Sequence, residues 1–253
     1  MPAKPNLDIL FESPDYVAIT KPAGLASIPG RAETDSVLEQ IARQLDLPWT
    51  GAEDPRIRVV HRLDKDTSGV MLFAKHFPAQ RHVSIQFQTN TVVKEYLALV
   101  RGKVKDTEGD IESPIAPHPT SRDRMAVTKH GRPARTLWRI ESRFRDFTLL
   151  RVFPKTGKTH QIRVHLKSIG HPLAIDPLYN PVKPGAPVGL YLSHFKHDYR
   201  PSGDGTERPL IARLTLHAEK LRFRDVSDYE IEIVSPPPKD FRAILTQLQR
   251  HGS

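Results

Sequence analysis

The residues best suited to chemistry lie in a short charged segment between two apolar runs. Asp64 follows His61 and Arg62 and precedes Lys65, and a Thr-Ser-Gly turn occupies positions 67–69. A carboxylate crowded by cationic side chains is expected to stay ionised and to be oriented by its neighbours. This arrangement suits a nucleophile, or an anchor for a cationic partner. For this segment alone, the alternative is a surface turn whose ion pairs have little consequence.

A second candidate lies in the segment 94–102, whose pattern is typical of a strand. Side-chain alternation places Tyr96, Ala98 and Val100 on one face of this strand, with Leu97 and Leu99 on the other. A tyrosine on a strand most often packs in the core. The residue types alone therefore leave Tyr96 as a core residue or a site residue.

A third candidate is Arg163, in a segment whose spacing predicts a short helix. Ile162, Leu166 and Ile169 recur at i, i+4 and i+7, and Thr159 is a suitable N-cap. Gly170 suits the C-terminal cap, with a proline just beyond it. Arg163 then lies in the first turns of the helix. A solvated arginine on an amphipathic helix is the alternative interpretation.

Together these segments resemble the RluA-type pseudouridine synthases, which convert uridine to pseudouridine in ribosomal and transfer RNA. The family motif H-R-L-D-x-x-T-S-G matches residues 61–69, and K-x-Y-x-A-x-V-x-G matches residues 94–102. The motif G-R-T-H-Q-I-R-x-H matches residues 157–165, with Lys158 in place of the usual arginine. A K-P-A-G loop at 21–24 also matches. The resemblance covers roughly residues 10 to 225.

The resemblance implies a role for each motif. Asp64 would be the catalytic nucleophile, Tyr96 would pack against the target base, and Arg163 would pair with Asp64. Arg62 would fill the space that the flipped uridine leaves. The resemblance extends substrate contact to the other motif residues that we select as candidates: His61, Lys65, Thr67, Lys158, His160 and Gln161.

Two residues depart from the family pattern. Lys158 keeps the positive charge of the usual arginine but loses its planar fork of donors. Ile175 stands where the family usually has glycine. Neither departure replaces a proposed reacting residue.

The elements that must position these residues are mostly strands. This favours an α+β fold around a largely antiparallel sheet, and the resemblance implies the pseudouridine synthase fold, a mixed sheet of two α+β halves with a central active-site cleft. The predicted elements are a strand pair at 7–20, a helix at 35–45, strands at 57–60 and 70–74, a helix at 78–88, a strand at 91–102, strands with long connections over 106–135, a hairpin at 136–153, the helix beginning after Thr159, a surface excursion at 182–209, closing strands at 210–223 and 229–234, and a C-terminal helix at 239–250.

The organisation of the chain suggests one catalytic domain. Only about twenty residues precede the K-P-A-G loop, which is too few for a folded domain. We therefore expect residues 1–253 to form a single pseudouridine synthase catalytic domain, acting as a monomer, without an N-terminal S4-type RNA-binding domain.

Composition limits the class of protein and of partner. The net charge of +9 favours a polyanionic partner such as RNA. The sequence has no cysteine, which excludes disulfides and thiolate metal sites. The N-terminus has no signal-peptide core, and no apolar run approaches the ~20 residues of a membrane helix. We expect a cytoplasmic protein without a membrane partner.

We expect no metal and no cofactor. His160, His165 and His171 lack the i, i+4 spacing of a zinc helix, and neither a G-x-G-x-x-G motif nor a P-loop is present. The reaction that the resemblance implies is an isomerisation without redox change. Two alternatives remain open: a magnesium-dependent phosphotransferase that uses Asp64-Lys65-Asp66 as the D-x-D of the haloacid-dehalogenase superfamily, and a catalytically inactive RNA-binding relative. The sequence leaves open whether a covalent adduct forms at the base or at the sugar.

Overall fold

The computed structural model describes residues 6–30, 35–49, 56–183, 186, 188–196, 198–200 and 206–251. The chain divides into two compact units. Unit 1 comprises residues 1–95 and 218–236, and unit 2 comprises residues 96–217 and 237–253.

Unit 1 is a β-sheet covered by helices on both faces. Its elements are β1 (Asp8–Glu12), β2 (Tyr16–Lys21), α1 (Val37–Gln44), β3 (Arg58–Val59), β4 (Ser68–Ala74), α2 (Phe77–Gln88), most of β11 (Leu216–Arg224) and β12 (Glu230–Val234). The strand order is β1-β2-β4-β11, with β3 beside β4 and β12 beside β11. Alternation along β2 supplies both cores, since Val17 and Ile19 pack with α1 whereas Tyr16 and Ala18 pack with α2.

Unit 2 has the same layered plan. Its elements are most of β5 (Val93–Arg101), then β6 (Glu108–Glu112), β7 (Ile115–His118), β8 (Ser121–Val127), β9 (Arg135–Arg143), β10 (Phe147–Pro154), α3 (Gln161–Ser168), a 3₁₀ turn (Leu192–His194) and α4 (Lys239–His251). The strands β5-β10-β9-β6 form an antiparallel sheet. Ala98 and Val100 pack with α3, whereas Leu97 and Leu99 pack with α4. The alternation predicted for β5 is therefore confirmed.

Local signals explain where the helices of unit 1 begin. Ser36 caps α1, since its Oγ accepts the N–H of Glu39 at 3.3 Å. His76 caps α2, since its Nδ1 accepts the N–H of Ala79 at 3.3 Å, and a proline lies in the first turn. Both helices had been predicted from their apolar spacing, and both predictions are confirmed.

Two predictions of connecting structure are wrong. Residues 106–135 contain short-linked strands, and β7 and β8 form a separate hairpin joined by two residues at 119–120. The sequence pattern did not mark β6 and β8 as closely linked strands because most of their residues are polar and at least partly exposed. The segment 182–209 is not wholly a surface excursion. Within its described part, Leu190 and Phe195 are buried in the core beneath α4.

The predicted α+β class is confirmed. The first closing strand, predicted from 210, begins at Leu216, whereas the C-terminal helix matches its prediction closely. Across the described ranges, no helix combines the length and the apolar character needed to cross a membrane.

Candidate active site

Asp64 lies on a tight turn between β3 and β4. The N–H of Thr67 donates to the carbonyl of Asp64 at 3.1 Å, which closes the turn. Ser27 holds the preceding residue from both sides: its Oγ donates to the Leu63 carbonyl at 2.6 Å and accepts the Leu63 N–H at 3.1 Å. Leu63 is buried whereas Asp64 is half-buried. The backbone is thus fixed on one side of a carboxylate that stays partly accessible.

Lys21, in the K-P-A-G loop, is hydrogen-bonded to the same turn. It is fully buried, and its Nζ donates to the carbonyls of Lys65 at 2.6 Å and of Pro22 at 2.8 Å. The N–H of Gly24 donates to the same Lys65 carbonyl at 3.0 Å. A buried ammonium group is costly unless it is hydrogen-bonded, so these contacts tie the K-P-A-G loop to the Asp64 turn. The sequence analysis identified this loop as a match to the family pattern but did not predict its contact with the Asp64 turn.

Gly69 ends the motif because no larger residue fits there. Its φ is +125°, and a Cβ atom built on it would lie 2.1 Å from the carbonyl oxygen of Ala218 on β11. Strands β4 and β11 therefore approach each other closely at this residue, immediately after the turn. Thr67 is buried beside it. Its position gives Thr67 a role in the turn, and its contact with RNA stays a prediction.

His61 packs within unit 1 as a neutral ring. Its Nε2 accepts the N–H of Leu72 at 3.0 Å, and the ring stacks on Phe87 with centroids 4.8 Å apart. Strand β3 ends at Val59, so the imidazole replaces a missing ladder hydrogen bond of β4. Burial, with a smaller effect from Lys94, lowers the pKa of His61 to about 3. The predicted contact of His61 with RNA stays a prediction.

We expect His61 to make the protein less stable in mild acid. Its pKa is about 3 in the fold against 6.5 for a free histidine, so between these values only the unfolded chain takes up the proton. The contribution of His61 to the free energy of unfolding is therefore present above pH 6.5 and is lost as the pH falls toward 3. The loss between pH 7 and pH 5 should be about 2 kcal/mol, measured by urea unfolding.

The variant His61→Phe provides the control for this effect. It keeps an aromatic ring against Phe87 but lacks the nitrogen that accepts the Leu72 N–H, so its free energy of unfolding should be lower at pH 7. Because it cannot titrate, this free energy should also change less between pH 7 and pH 5. His165, whose pKa is also lowered by burial, contributes equally to both proteins. Equal pH dependence in the two proteins would contradict the assignment.

In unit 2, Tyr96 lies on the face of β5 that packs with α3. It is half-buried, opposite Val152 of β10, against a core that includes Ile162 and Leu166. The structure therefore brings Tyr96 and α3 onto one core. Its contact with a target base stays a prediction.

The loop before α3 is organised by Gln161. Its Oε1 accepts the Thr156 hydroxyl at 2.7 Å and the Lys158 N–H at 3.0 Å. Its Nε2 donates to the Arg135 carbonyl and the Thr136 hydroxyl, both at 2.9 Å. Gln161 is buried, so these contacts give it a structural role. Its predicted substrate contact is untested, as is that of Lys158, whose side chain is half-buried.

The helix N-cap differs from the prediction. His160, not Thr159, occupies the N-cap, with a left-handed φ of 53° and no capping side-chain bond. The prediction failed because the side chain of Gln161, in the first turn of the helix, accepts the hydrogen bonds of the preceding loop. The C-terminal prediction is confirmed, since Gly170 has a φ of +84° just after the end of α3.

Arg163 is buried on α3 and forms a bidentate ion pair with Asp176. Both distances, Nε to Oδ2 and Nη2 to Oδ1, are 2.8 Å. The sequence did not indicate this partner, because the acid lies thirteen residues away beyond the end of the helix. A guanidinium group has five N–H donors, and the pair with Asp176 uses two of them. The pairing of Arg163 with Asp64 stays a prediction.

His165 has a structural place in unit 2. Its Nε2 donates to the Ser113 carbonyl at 2.9 Å, and its Nδ1 accepts the Thr136 hydroxyl at 2.9 Å. Burial lowers its pKa, which keeps the ring neutral. Among the described residues, no group of three histidine or acidic side chains could hold a metal ion.

The chain matches the family model described as RNA pseudouridylate synthase over residues 15–168. This span contains Asp64, Tyr96 and Arg163. The chain belongs to the RNA pseudouridylate synthase family, which is a family of isomerases.

Two curated relatives are similar to nearly the whole of this chain. Ribosomal large subunit pseudouridine synthase D of Nitrosomonas europaea is 39% identical over 96% of this chain and 65% of its own length. The enzyme of the same name from Haemophilus ducreyi is 38% identical over 97% of this chain and 73% of its own length. This chain thus spans 65% of the length of the first relative and 73% of the length of the second. The resemblance to the RluA-type enzymes is confirmed.

Solved structures agree with this placement. Human RNA pseudouridylate synthase domain containing 4 has a TM-score of 0.73 and 27% identity, over 96% of this chain and 93% of the human chain. Human RNA pseudouridylate synthase domain containing 1 has a TM-score of 0.69 and 25% identity, over 94% and 87%. The fold is that of the pseudouridine synthases.

Proposed function

We propose that this protein isomerises uridine to pseudouridine in large-subunit ribosomal RNA, with Asp64 as the nucleophile. The observation that best supports this is the Asp64 turn. A partly accessible carboxylate is held on a backbone that Ser27, buried Lys21 and Gly24 fix through four hydrogen bonds. The choice of RNA rests on the relatives named ribosomal large subunit pseudouridine synthase D.

The reaction needs three changes at the target nucleotide. The bond from C1′ to N1 breaks, the uracil rotates, and a new bond forms from C1′ to C5; C5 then loses its proton and N1 takes up a proton from solvent. The atoms balance without an oxidant or a reductant. Asp64 either attacks the nucleoside or assists the departure of the uracil, and Tyr96 packs against the base and is the candidate for the proton transfer. The uridine must first leave its stack to reach these groups.

Arg62 is the candidate for occupying the position that the uridine leaves. It is exposed, two residues before Asp64. Within the described ranges, no residue forms a hydrogen bond or an ion pair with its guanidinium group. Arginine stacks on bases and binds phosphates through its planar fork. The net charge of +9 supports a larger electrostatic contribution to RNA binding, which should weaken as salt rises.

The experiment that tests the function measures tritium release from uridine labelled at C5. Purified protein is incubated with large-subunit rRNA, small-subunit rRNA and bulk tRNA, each unmodified and each with EDTA. We expect release from large-subunit rRNA alone. Release from tRNA instead would contradict the proposed substrate but not the reaction.

The same assay separates the two alternatives. Absence of tritium release, together with magnesium-dependent phosphoryl transfer measured in a parallel assay, would favour the phosphotransferase. RNA binding without any tritium release would favour an inactive relative. A ribosomal substrate would also place the protein in the cytoplasm, and we propose a monomer as the active form, which light scattering of the active preparation would test.

A further inference from the structure

The carboxylate of Asp176 fixes the plane of the Arg163 guanidinium. The two parallel hydrogen bonds, both 2.8 Å, are of the bidentate type that defines orientation as well as distance. The Arg163 side chain is 7% exposed and that of Asp176 is 1% exposed, so water does not compete for these donors. Arg163 can therefore rotate very little without breaking both bonds.

Asp176 is itself held by the turn that follows it. Its Oδ1 accepts the N–H groups of Leu178 at 3.0 Å and of Tyr179 at 3.1 Å. The N–H of Asn180 donates to the Asp176 carbonyl at 2.8 Å, and its Nδ2 donates to the Leu173 carbonyl at 3.0 Å. The Asp176 carboxylate is thus held by its own turn, independently of its contact with Arg163.

Tyr179 supports Arg163 from a second direction. The guanidinium carbon lies 5.1 Å from the centroid of the Tyr179 ring, within the range of a cation–π contact. The Tyr179 hydroxyl accepts the N–H of Met125 on β8 at 2.7 Å and is hydrogen-bonded to Nδ1 of His160 at 2.9 Å. The ring is therefore fixed at its polar end, and it links the β7–β8 hairpin to the start of α3.

A buried ion pair of this kind adds little to stability, because desolvation of both charges offsets their attraction. Its clear effect is geometric. We propose that Asp176 and Tyr179 are positioning residues that orient the Arg163 guanidinium group during uridine isomerisation. This inference rests on the proposed function.

The first test replaces Asp176 with asparagine, which has the same shape but no charge and only one acceptor oxygen. Misplaced catalytic groups commonly cost up to about 100-fold in rate. We expect the single-turnover rate of tritium release to fall about 10- to 100-fold, with KM for RNA changed less than about threefold. Rates are normalised to folded protein measured by circular dichroism.

The matched control is Asp240→Asn in the same unit. Asp240 also forms a bidentate pair, with Nε of Arg213 at 2.6 Å and Nη2 at 2.8 Å, and Arg213 lies 6.0 Å from the ring of Phe241. Arg213 has no proposed part in the reaction. If Asp176 only stabilised the fold, the two variants would show the same rate per folded molecule. Equal rates would overturn the proposal.

A double-mutant cycle tests whether Asp176 acts through Arg163. Arg163→Lys keeps the charge but cannot form the bidentate pair. In that background, Asp176→Asn should lower the rate by less than about twofold. Two fully additive losses would overturn the proposal, because Asp176 would then act independently of Arg163.

Tyr179→Phe gives a test that does not depend on the folding of Asp176→Asn. It keeps the ring and removes only the hydroxyl, so we expect a rate loss of about three- to tenfold. A rate equal to that of the wild type would overturn the part assigned to Tyr179. Wild-type protein that released no tritium would overturn the proposed function itself, whereas an active wild type with an unchanged Asp176→Asn rate would overturn only this inference.

Discussion

Replacing Asp64 with asparagine should abolish pseudouridine formation. We expect kcat to fall by at least about 1000-fold, because the amide has the shape of the carboxylate but neither its charge nor its nucleophilicity. The turn should persist, since its closing hydrogen bond uses the backbone carbonyl of Asp64 and not the side chain. Tritium release and quantification of pseudouridine in the RNA both measure the loss.

Asp66→Asn is the control for the Asp64 variant. Asp66 lies on the same turn, carries the same charge and is exposed. Its replacement removes one negative charge from the loop, so any general effect on RNA affinity should appear equally in both variants. We expect Asp66→Asn to keep kcat within about threefold of the wild type. Comparable loss of kcat in the two variants would show that Asp64 is not specifically required.

Replacing Gly69 with alanine should cause the largest loss of stability. The new methyl group would lie 2.1 Å from the Ala218 carbonyl oxygen, on backbone with a φ of +125° that other residues rarely adopt. Backbone strain and overpacking each cost about 1–3 kcal/mol, so we expect a loss of about 3 kcal/mol or more. Urea unfolding of the two purified proteins measures the difference.

Gly157→Ala is the matched control for this stability test. No heavy atom lies within 4 Å of the position that its Cβ would take, so its free energy of unfolding should be close to that of the wild type. A Gly69→Ala protein as stable as Gly157→Ala would mean that β4 and β11 can separate at this point without cost. A protein that is unfolded at all urea concentrations would agree with the expectation.

Sequence patterns were sufficient for elements whose core is formed by regular spacing. The alternation along β5 assigned Tyr96 and Ala98 to one face and Leu97 to the other, and the structure gives the same two cores. The C-terminal helix followed in the same way from Phe241 and Ile244. These patterns succeed because one face of each element must exclude water, which is a local property of the chain.

The patterns failed where little of an element is buried. Along β8, Arg122 and Asp123 are exposed and only half-buried residues face inward, so no alternation of apolar residues marks the strand. In the segment 182–209, proline and glycine indicated a loop but did not show that Leu190 and Phe195 enter the core. Such burial depends on what the rest of the chain leaves uncovered.

The sequence by itself determined the family, the α+β class and the three residues proposed for chemistry. Their partners were decided by the tertiary structure. Lys21 meets the carbonyl of residue 65 across 44 positions, and Arg163 meets Asp176 across the end of its helix. Motif spacing describes chemistry along the chain, whereas a buried charge must be satisfied by whichever polar atoms the packed chain brings within about 3 Å. That selection exists only once the strands and helices have packed.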